Sequence, residues 1–139
     1  DFAAKMRFVE ALEAYAAGLL ASGRGVILCG DLNIARADID VHPKERKPRA
    51  IGQRPEERAL FERLLERGGL VDTSRALDPD NDQLFSWWAP WRNMRQRNIG
   101  WRLDYVLASR TLFERVRSAV IQREFGTSDH GPVIASFNV

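Results

Sequence analysis

At 139 residues, with 45% apolar content and a formal net charge of +2, the chain can bury one core and is too short for two independent domains. Charged residues interrupt every hydrophobic stretch well before the roughly 20 residues of a membrane span, and nothing near the start resembles an export signal, so no membrane partner is expected. So small a net charge makes global electrostatics a weak argument for a nucleic-acid partner, yet two stretches are locally basic: Lys44, Arg46, Lys47, Arg49, Arg54 and Arg58 in one, Arg92, Arg95, Arg97 and Arg102 in the other.

The sequence opens at Asp1 rather than at methionine, which suits a cut from a longer chain. Phe2, Met6, Val9, Leu12, Ala16 and Leu19 recur at helical spacing with Lys5, Arg7, Glu10 and Glu13 between them, which predicts an amphipathic helix ending near Gly23 to Gly25. Val26 to Cys29 is an apolar run of strand length, the pattern of a strand covered on both faces, with Cys29 read as a buried core thiol. As the only cysteine, it cannot form an internal disulfide, which fits a reducing cytoplasm. Gly30-Asp31-Leu32-Asn33 follows at once, so polar side chains stand at a strand end, where ligand sites collect.

Residues 38 to 53, with Pro43, Pro48 and Gly52, read as a long loop. Pro55 opens a second helix, with Glu56 and Glu57 in its first turn, Leu60, Phe61, Leu64 and Leu65 on its buried face, and Gly68-Gly69 at its stop. Leu70-Val71 is a short apolar segment and 78 to 82 a turn. Phe85 to Trp88 reads as a strand, Leu103 to Ala108 as another, Leu112 to Val116 as a helical turn, and Ala119 to Arg123 and Val133 to Val139 as the last strands. Helices among several strands imply an α/β layered domain with helices on one face of a sheet.

Three polar clusters stand at strand ends: Gly30-Asp31-Leu32-Asn33, Leu103-Asp104-Tyr105 and Ser128-Asp129-His130-Gly131. Singly, each strand-terminal Asp reads more readily as a turn-former or cap, and Gly131-Pro132 makes a surface turn the plain reading of His130. Together they supply the carboxylates, amide and imidazole that hold a hard divalent cation and activate water at a phosphate. All four tryptophans, Trp87, Trp88, Trp91 and Trp101, fall in one segment with Arg92, Arg95, Arg97 and Arg102. Aromatic faces stack on bases or sugars while guanidinium groups pair with phosphates, so the segment suits a nucleic-acid backbone. Trp88, out of phase with Trp87, reads as core packing; Trp91 stays open. The basic loop from Lys44 to Arg54 reads equally as a phosphate contact or as a solvated loop.

The runs Gly30-Asp31-Leu32-Asn33, Asn98-Ile99-Gly100-Trp101-Arg102-Leu103-Asp104-Tyr105 and Ser128-Asp129-His130 resemble, in the same order, the C-terminal signatures of exonuclease III-like abasic-site endonucleases. That group lies within the wider endonuclease, exonuclease and phosphatase superfamily. The similarity spans essentially residues 1–139. It implies the C-terminal half of a four-layer α/β/β/α sandwich with a mostly antiparallel mixed sheet. It also implies hydrolysis of phosphodiesters 5′ to abasic sites, 3′-to-5′ exonuclease activity, or both, on duplex DNA and with Mg2+, or Mn2+ in its place. By the same resemblance Asp31 orients or deprotonates water, Asn33 holds a phosphate oxygen, and Asp31, Asn33 and Asp129 form this chain's side of the metal site. His130 contacts the scissile phosphate while Asp104 holds its other nitrogen. By the resemblance, too, Trp87 and Trp101 wall the pocket for an extruded sugar; Arg95 and Arg97 are expected to contact DNA because they sit within the aromatic cluster.

Members of that group stack two similar halves, and this chain resembles only the second. The first normally supplies a Glu, an Asn and a Tyr near the metal and phosphate, with no counterpart here. A sheet face shaped for a partner sheet predicts an exposed apolar patch, covered by an N-terminal half or by a second copy. The rival functions are a non-catalytic DNA-binding or self-associating half-domain and, within the superfamily, a phosphoinositide phosphatase, which the Trp and Arg segment disfavours.

Overall fold

The Asp1 carboxylate accepts the Ala3 N–H at 3.0 Å and caps helix α1, Phe2–Ala21, in a computed structural model that describes residues 1–138. Strand β1, Ile27–Asp31, leads into two short 3-10 turns at Asp38–Asp40 and Pro43–Glu45. Helix α2, Pro55–Gly68, begins with proline in its first turn and stops at Gly69, whose φ of 61° is the left-handed conformation that glycine adopts without strain. Then come β2 (Leu70–Asp72), α3 (Thr73–Leu77), β3 (Asp104–Ser109), α4 (Arg110–Phe113), β4 (Val116–Ile121) and β5 (Val133–Phe137). The predicted last strand reached Val139, which lies outside the described residues.

The strands form two antiparallel units, a three-stranded sheet of order β1-β3-β2 and a β4-β5 hairpin. Alternation along β3 turns Tyr105 and Leu107 toward the helices. There they join Val9 and Ala16 of α1 and Leu60, Phe61 and Leu64 of α2 in the main core. Both helices therefore cover one face of the sheet.

Three expectations are corrected. β1 lies at the sheet edge, so Ile27 is 45% exposed and Cys29 is exposed rather than a buried thiol. An apolar run fixes neither which neighbour a strand gains nor which face stays open. The segment Phe85 to Trp88 is not a strand: Trp87 alone makes isolated bridges, to Trp101 and to His130. α3 was not foreseen; Asp72 caps it by accepting the Arg75 N–H.

Arg102, grouped above with arginines suited to phosphates, is fully buried. Its guanidinium reaches both oxygens of Asp40 at 2.7 and 3.1 Å and both oxygens of Asp72 at 2.7 Å. Arg75 adds a bond to Asp40 at 2.6 Å and Arg36 one to Asp72 at 3.2 Å. Burial alone would raise the Asp72 carboxyl, but the bonds and charge of Arg102, then Arg36, hold it below the ordinary carboxylate range. The network ties the 38–40 turn, β2 and the start of β3 together, and it removes Arg102 from any role with substrate.

Candidate active site

Backbone register builds the site first. Asp31 is the last residue of β1 and Asp104 the first of β3, and the antiparallel ladder sets them directly opposite each other. Opposed residues share a face, so two carboxylates distant in sequence meet at one sheet end. A second set of bridges brings in the third group: Trp87 pairs with Trp101 on one side and with His130 on the other. Gly100 is required for this ladder, because a side chain there would collide with the Trp87 carbonyl and sit 2.5 Å from Trp88 Cδ1.

His130 Nδ1 lies 2.9 Å from Asp104 Oδ2. The same oxygen accepts the Ser86 hydroxyl at 2.8 Å, and Ser86 Oγ in turn accepts the backbone N–H groups of Leu103 and Asp104 at 2.9 and 3.0 Å. Ser86 is buried; it fixes the Asp104 carboxylate, and the sequence reading passed over it. Its only signal was its place beside Trp87 in a polar-apolar run. Asp31 accepts the Asn33 N–H at 2.7 Å and the Asn33 side-chain amide at 2.9 Å. Asn33 adopts a φ of 52° to do so, a conformation asparagine tolerates better than most residues.

Ligand atoms of Asp31, Asp104 and His130 lie within 4.8 Å of one another. The three are exposed or half-buried, open to an ion and its waters. Asp129, expected at the metal, stands apart from this cluster: its Oδ2 accepts the Trp87 indole N–H at 3.0 Å. Burial would lower the His130 imidazole, yet the bond and charge of Asp104, with Asp31 and Asp129, raise it above the ordinary histidine value. Burial first, then the charge of Asp104, raise the Asp31 carboxyl, against the pull of the Asn33 N–H.

Trp87 and Trp101 meet edge to face, centroids 5.7 Å apart at 84°. The Trp101 indole N–H is buried without a hydrogen-bond partner among the described residues, an unsatisfied donor of the kind binding sites carry. A cleft of about 400 Å³ runs past Asp31, Asn33, Lys5, Ile51 and Trp101. Another of about 520 Å³ lies beside Trp88, Trp91, Met94, Arg95 and Asp129. Trp88 is core, as predicted, and Trp91 is 59% exposed. Arg97 is exposed, and among the described residues its guanidinium makes only a 3.4 Å contact with the Arg92 carbonyl. Arg95 is engaged with the protein itself: its three donor nitrogens bond the carbonyls of Arg123, Ser128 and Phe125.

Fold and site together define a class: helix-covered antiparallel sheets that gather carboxylates and an imidazole at one strand end. Residues 1–130 match the Endonuclease/Exonuclease/phosphatase family, and the chain belongs to it. The "Exodeoxyribonuclease" of Bacillus subtilis is 41% identical over 136 residues, which cover 97% of this chain and 53% of that protein. The "DNA repair nuclease APEX1" of Danio rerio is 40% identical over 120 residues, 86% of this chain and 38% of that one. An AP endonuclease from Archaeoglobus fulgidus superposes with a TM-score of 0.88 at 27% identity, covering 99% of this chain and 55% of that structure. The chain thus spans about half the length, or less, of the relatives it matches. No helix of the described residues is long and apolar enough to cross a membrane.

Proposed function

We propose that this chain carries the second half of a DNA-repair nuclease site, one that hydrolyses phosphodiesters 5′ to abasic sites and trims 3′ ends in duplex DNA. The observation that carries the reading is the convergence of Asp31, Asp104 and His130 within 4.8 Å, next to the Trp87 and Trp101 rings. Relatives named as an exodeoxyribonuclease and a DNA repair nuclease support it.

The donor set fits a hard cation. Two carboxylates at the open end of a sheet, with room for waters, are what Mg2+ favours, and Mn2+ accepts the same ligands. When bound, the ion supplies Lewis-acid polarisation of a phosphoryl oxygen. Asp31 and Asp104 would hold it. The Asp31 carboxylate, fixed by the Asn33 backbone and side-chain amides, is placed to orient or deprotonate the attacking water. Asn33 keeps that carboxylate oriented and offers an amide to a phosphate oxygen. His130, held by Asp104 and favoured in its charged form, donates from its free Nε2 to the oxygen on which negative charge builds. Trp87 and Trp101 wall the space for the sugar, whose extrusion is cheaper where no base pair must be broken. Arg97 and the basic loop at 44–49 follow the flanking phosphates.

The site is completed by an N-terminal half or by a second copy of this chain. Exposed Phe8 and Tyr15 on α1, Ile27 on β1, and the cross-strand partners Val120 and Ile134 on the hairpin are apolar surface for such a partner. An exposed single thiol suits action in a reducing cytoplasm. The test is nicking of abasic duplex DNA with Mg2+ and with EDTA, with and without a supplied N-terminal half. Metal-dependent nicking 5′ to the lesion is expected in the completed protein; binding without cleavage would favour a non-catalytic half-domain.

A further inference from the structure

We propose that Arg95 is a positioning residue that locks the 123–128 loop and so sets the placement of Asp129 and His130, rather than a ligand of DNA. Its Nε donates to the Arg123 carbonyl at 2.6 Å, its Nη2 to the Phe125 carbonyl at 2.7 Å, and its Nη1 to the Ser128 carbonyl. Three carbonyls of one loop therefore converge on a single rigid fork. Lysine cannot reproduce this, since an ammonium is a point charge without fixed directions. The guanidinium is itself backed by the Trp88 ring, 5.0 Å from its centroid, and Trp88 is core. The clamp is thus anchored in packed protein on one side and holds a loop of exposed residues on the other.

What that loop carries gives the clamp its consequence. Ser128 accepts the His130 N–H on its hydroxyl at 3.1 Å, the Asp129 carbonyl accepts the Trp88 N–H at 3.0 Å, and the Gly131 N–H reaches the Ser86 carbonyl at 2.7 Å. The end of the loop is pinned by these bonds; its body is held by Arg95 and, at its start, by local turn bonds from the Arg123 N–H to the Ile121 carbonyl and from the Phe125 N–H to the Gln122 carbonyl, both at 3.2 Å. Gly126, with a φ of 77°, and a run of exposed residues from Glu124 to Asp129 would otherwise leave the segment before Asp129 free to sample other conformations. Fixing it keeps the His130 ring on Asp104 before any substrate arrives, the preorganisation on which charge stabilisation depends.

The catalytic meaning of the clamp rests on the nuclease reading; the clamp itself does not, and the test separates the two. The chain has only two histidines, so 15N-histidine labelling isolates the His130 ring signals, assigned with His42→Gln. Arg95→Ala and Arg95→Lys should both broaden or shift the His130 Nδ1–H resonance and speed amide exchange across residues 124–131 at least about tenfold, while α2 keeps its protection. If alanine also erodes α2, the lysine variant decides. Parent-like His130 signals and parent-like exchange in a folded variant would overturn the proposal. Affinity for duplex DNA containing an abasic analogue, measured against salt, supplies the opposing arm. The slope should match the parent; a slope lower by about one would make Arg95 a phosphate ligand and overturn the clamp. A parent chain that binds no such DNA, alone or completed, counts against the nuclease reading and leaves the clamp to the exchange and resonance arms.

Discussion

The two charged constellations of this protein begin two residues apart, at Arg102 and at Asp104, and they illustrate opposite uses of the same chemistry. Around Arg102, four bonds to Asp40 and Asp72 consume the charge entirely inside the protein, and Arg75, with Arg36 and its second partner Glu62, balances what remains. Around Asp104, two carboxylates and an imidazole share few bonds and stay open to solvent. With every side-chain nitrogen of Arg102 and every carboxylate oxygen of Asp40 and Asp72 bonded, the buried cluster serves registry; the open one sets two carboxylates face to face beside an imidazole, an arrangement that a functional site would use.

Breaking the buried cluster should produce the largest effect. Asp72→Ala leaves the Arg102 charge buried and short of a partner, and a loss of about 3–5 kcal/mol in urea unfolding is expected. A cost under about 1 kcal/mol would mean that water or a neighbour replaces the carboxylate. The open cluster should respond the other way, in rate rather than in stability. In the completed enzyme His130→Asn should lower kcat about 10²–10³-fold while DNA affinity and unfolding stay close to the parent. Equal loss of binding and turnover would mark the histidine as structural.

Specificity sharpens the contrast further. Trp101→Ala should lower the preference for abasic over intact duplex by the equivalent of about 1–3 kcal/mol, and an unchanged cleavage ratio would remove that ring from the sugar pocket. The smallest effect is on pH, where the two clusters have opposite signs. The Asp72 carboxyl is depressed in the fold, so the stability it contributes is full above the unfolded value of about 3.9 and is lost as pH falls through the folded value. The His130 imidazole is raised, so its contribution is full below about 6.5 and is lost as pH rises through the folded value. Unfolding of the parent against Asp72→Asn and His130→Gln across pH should show one difference shrinking in acid and the other shrinking in base.

The two long helices announced themselves. Leu60, Phe61, Leu64 and Leu65 at helical spacing, Pro55 at the start and Gly69 in the left-handed conformation at the stop mark α2 by local geometry alone. Residues 30–33, 103–105 and 128–131 drew notice as polar clusters at strand ends for a similarly local reason. Sequence did not reveal Ser86 behind Asp104, the inward turn of Arg102 or the clamp made by Arg95, because each depends on partners 18 to 62 residues away. Cys29 was misjudged on the same ground: whether a strand has one neighbour or two is not written in the strand.

Taken alone, the amino-acid sequence determined the two long helices, which segments are apolar, and which side chains have the chemistry to meet a cation and a phosphate. All of that follows from contacts within a few residues. Only the tertiary structure decided which charges serve the core and which stay open. The antiparallel register that sets Asp31 against Asp104, and the bridge from Trp87 to His130, bring together groups that no spacing along the chain connects, and burial separates the paired charges around Arg102 from the open ones around Asp104.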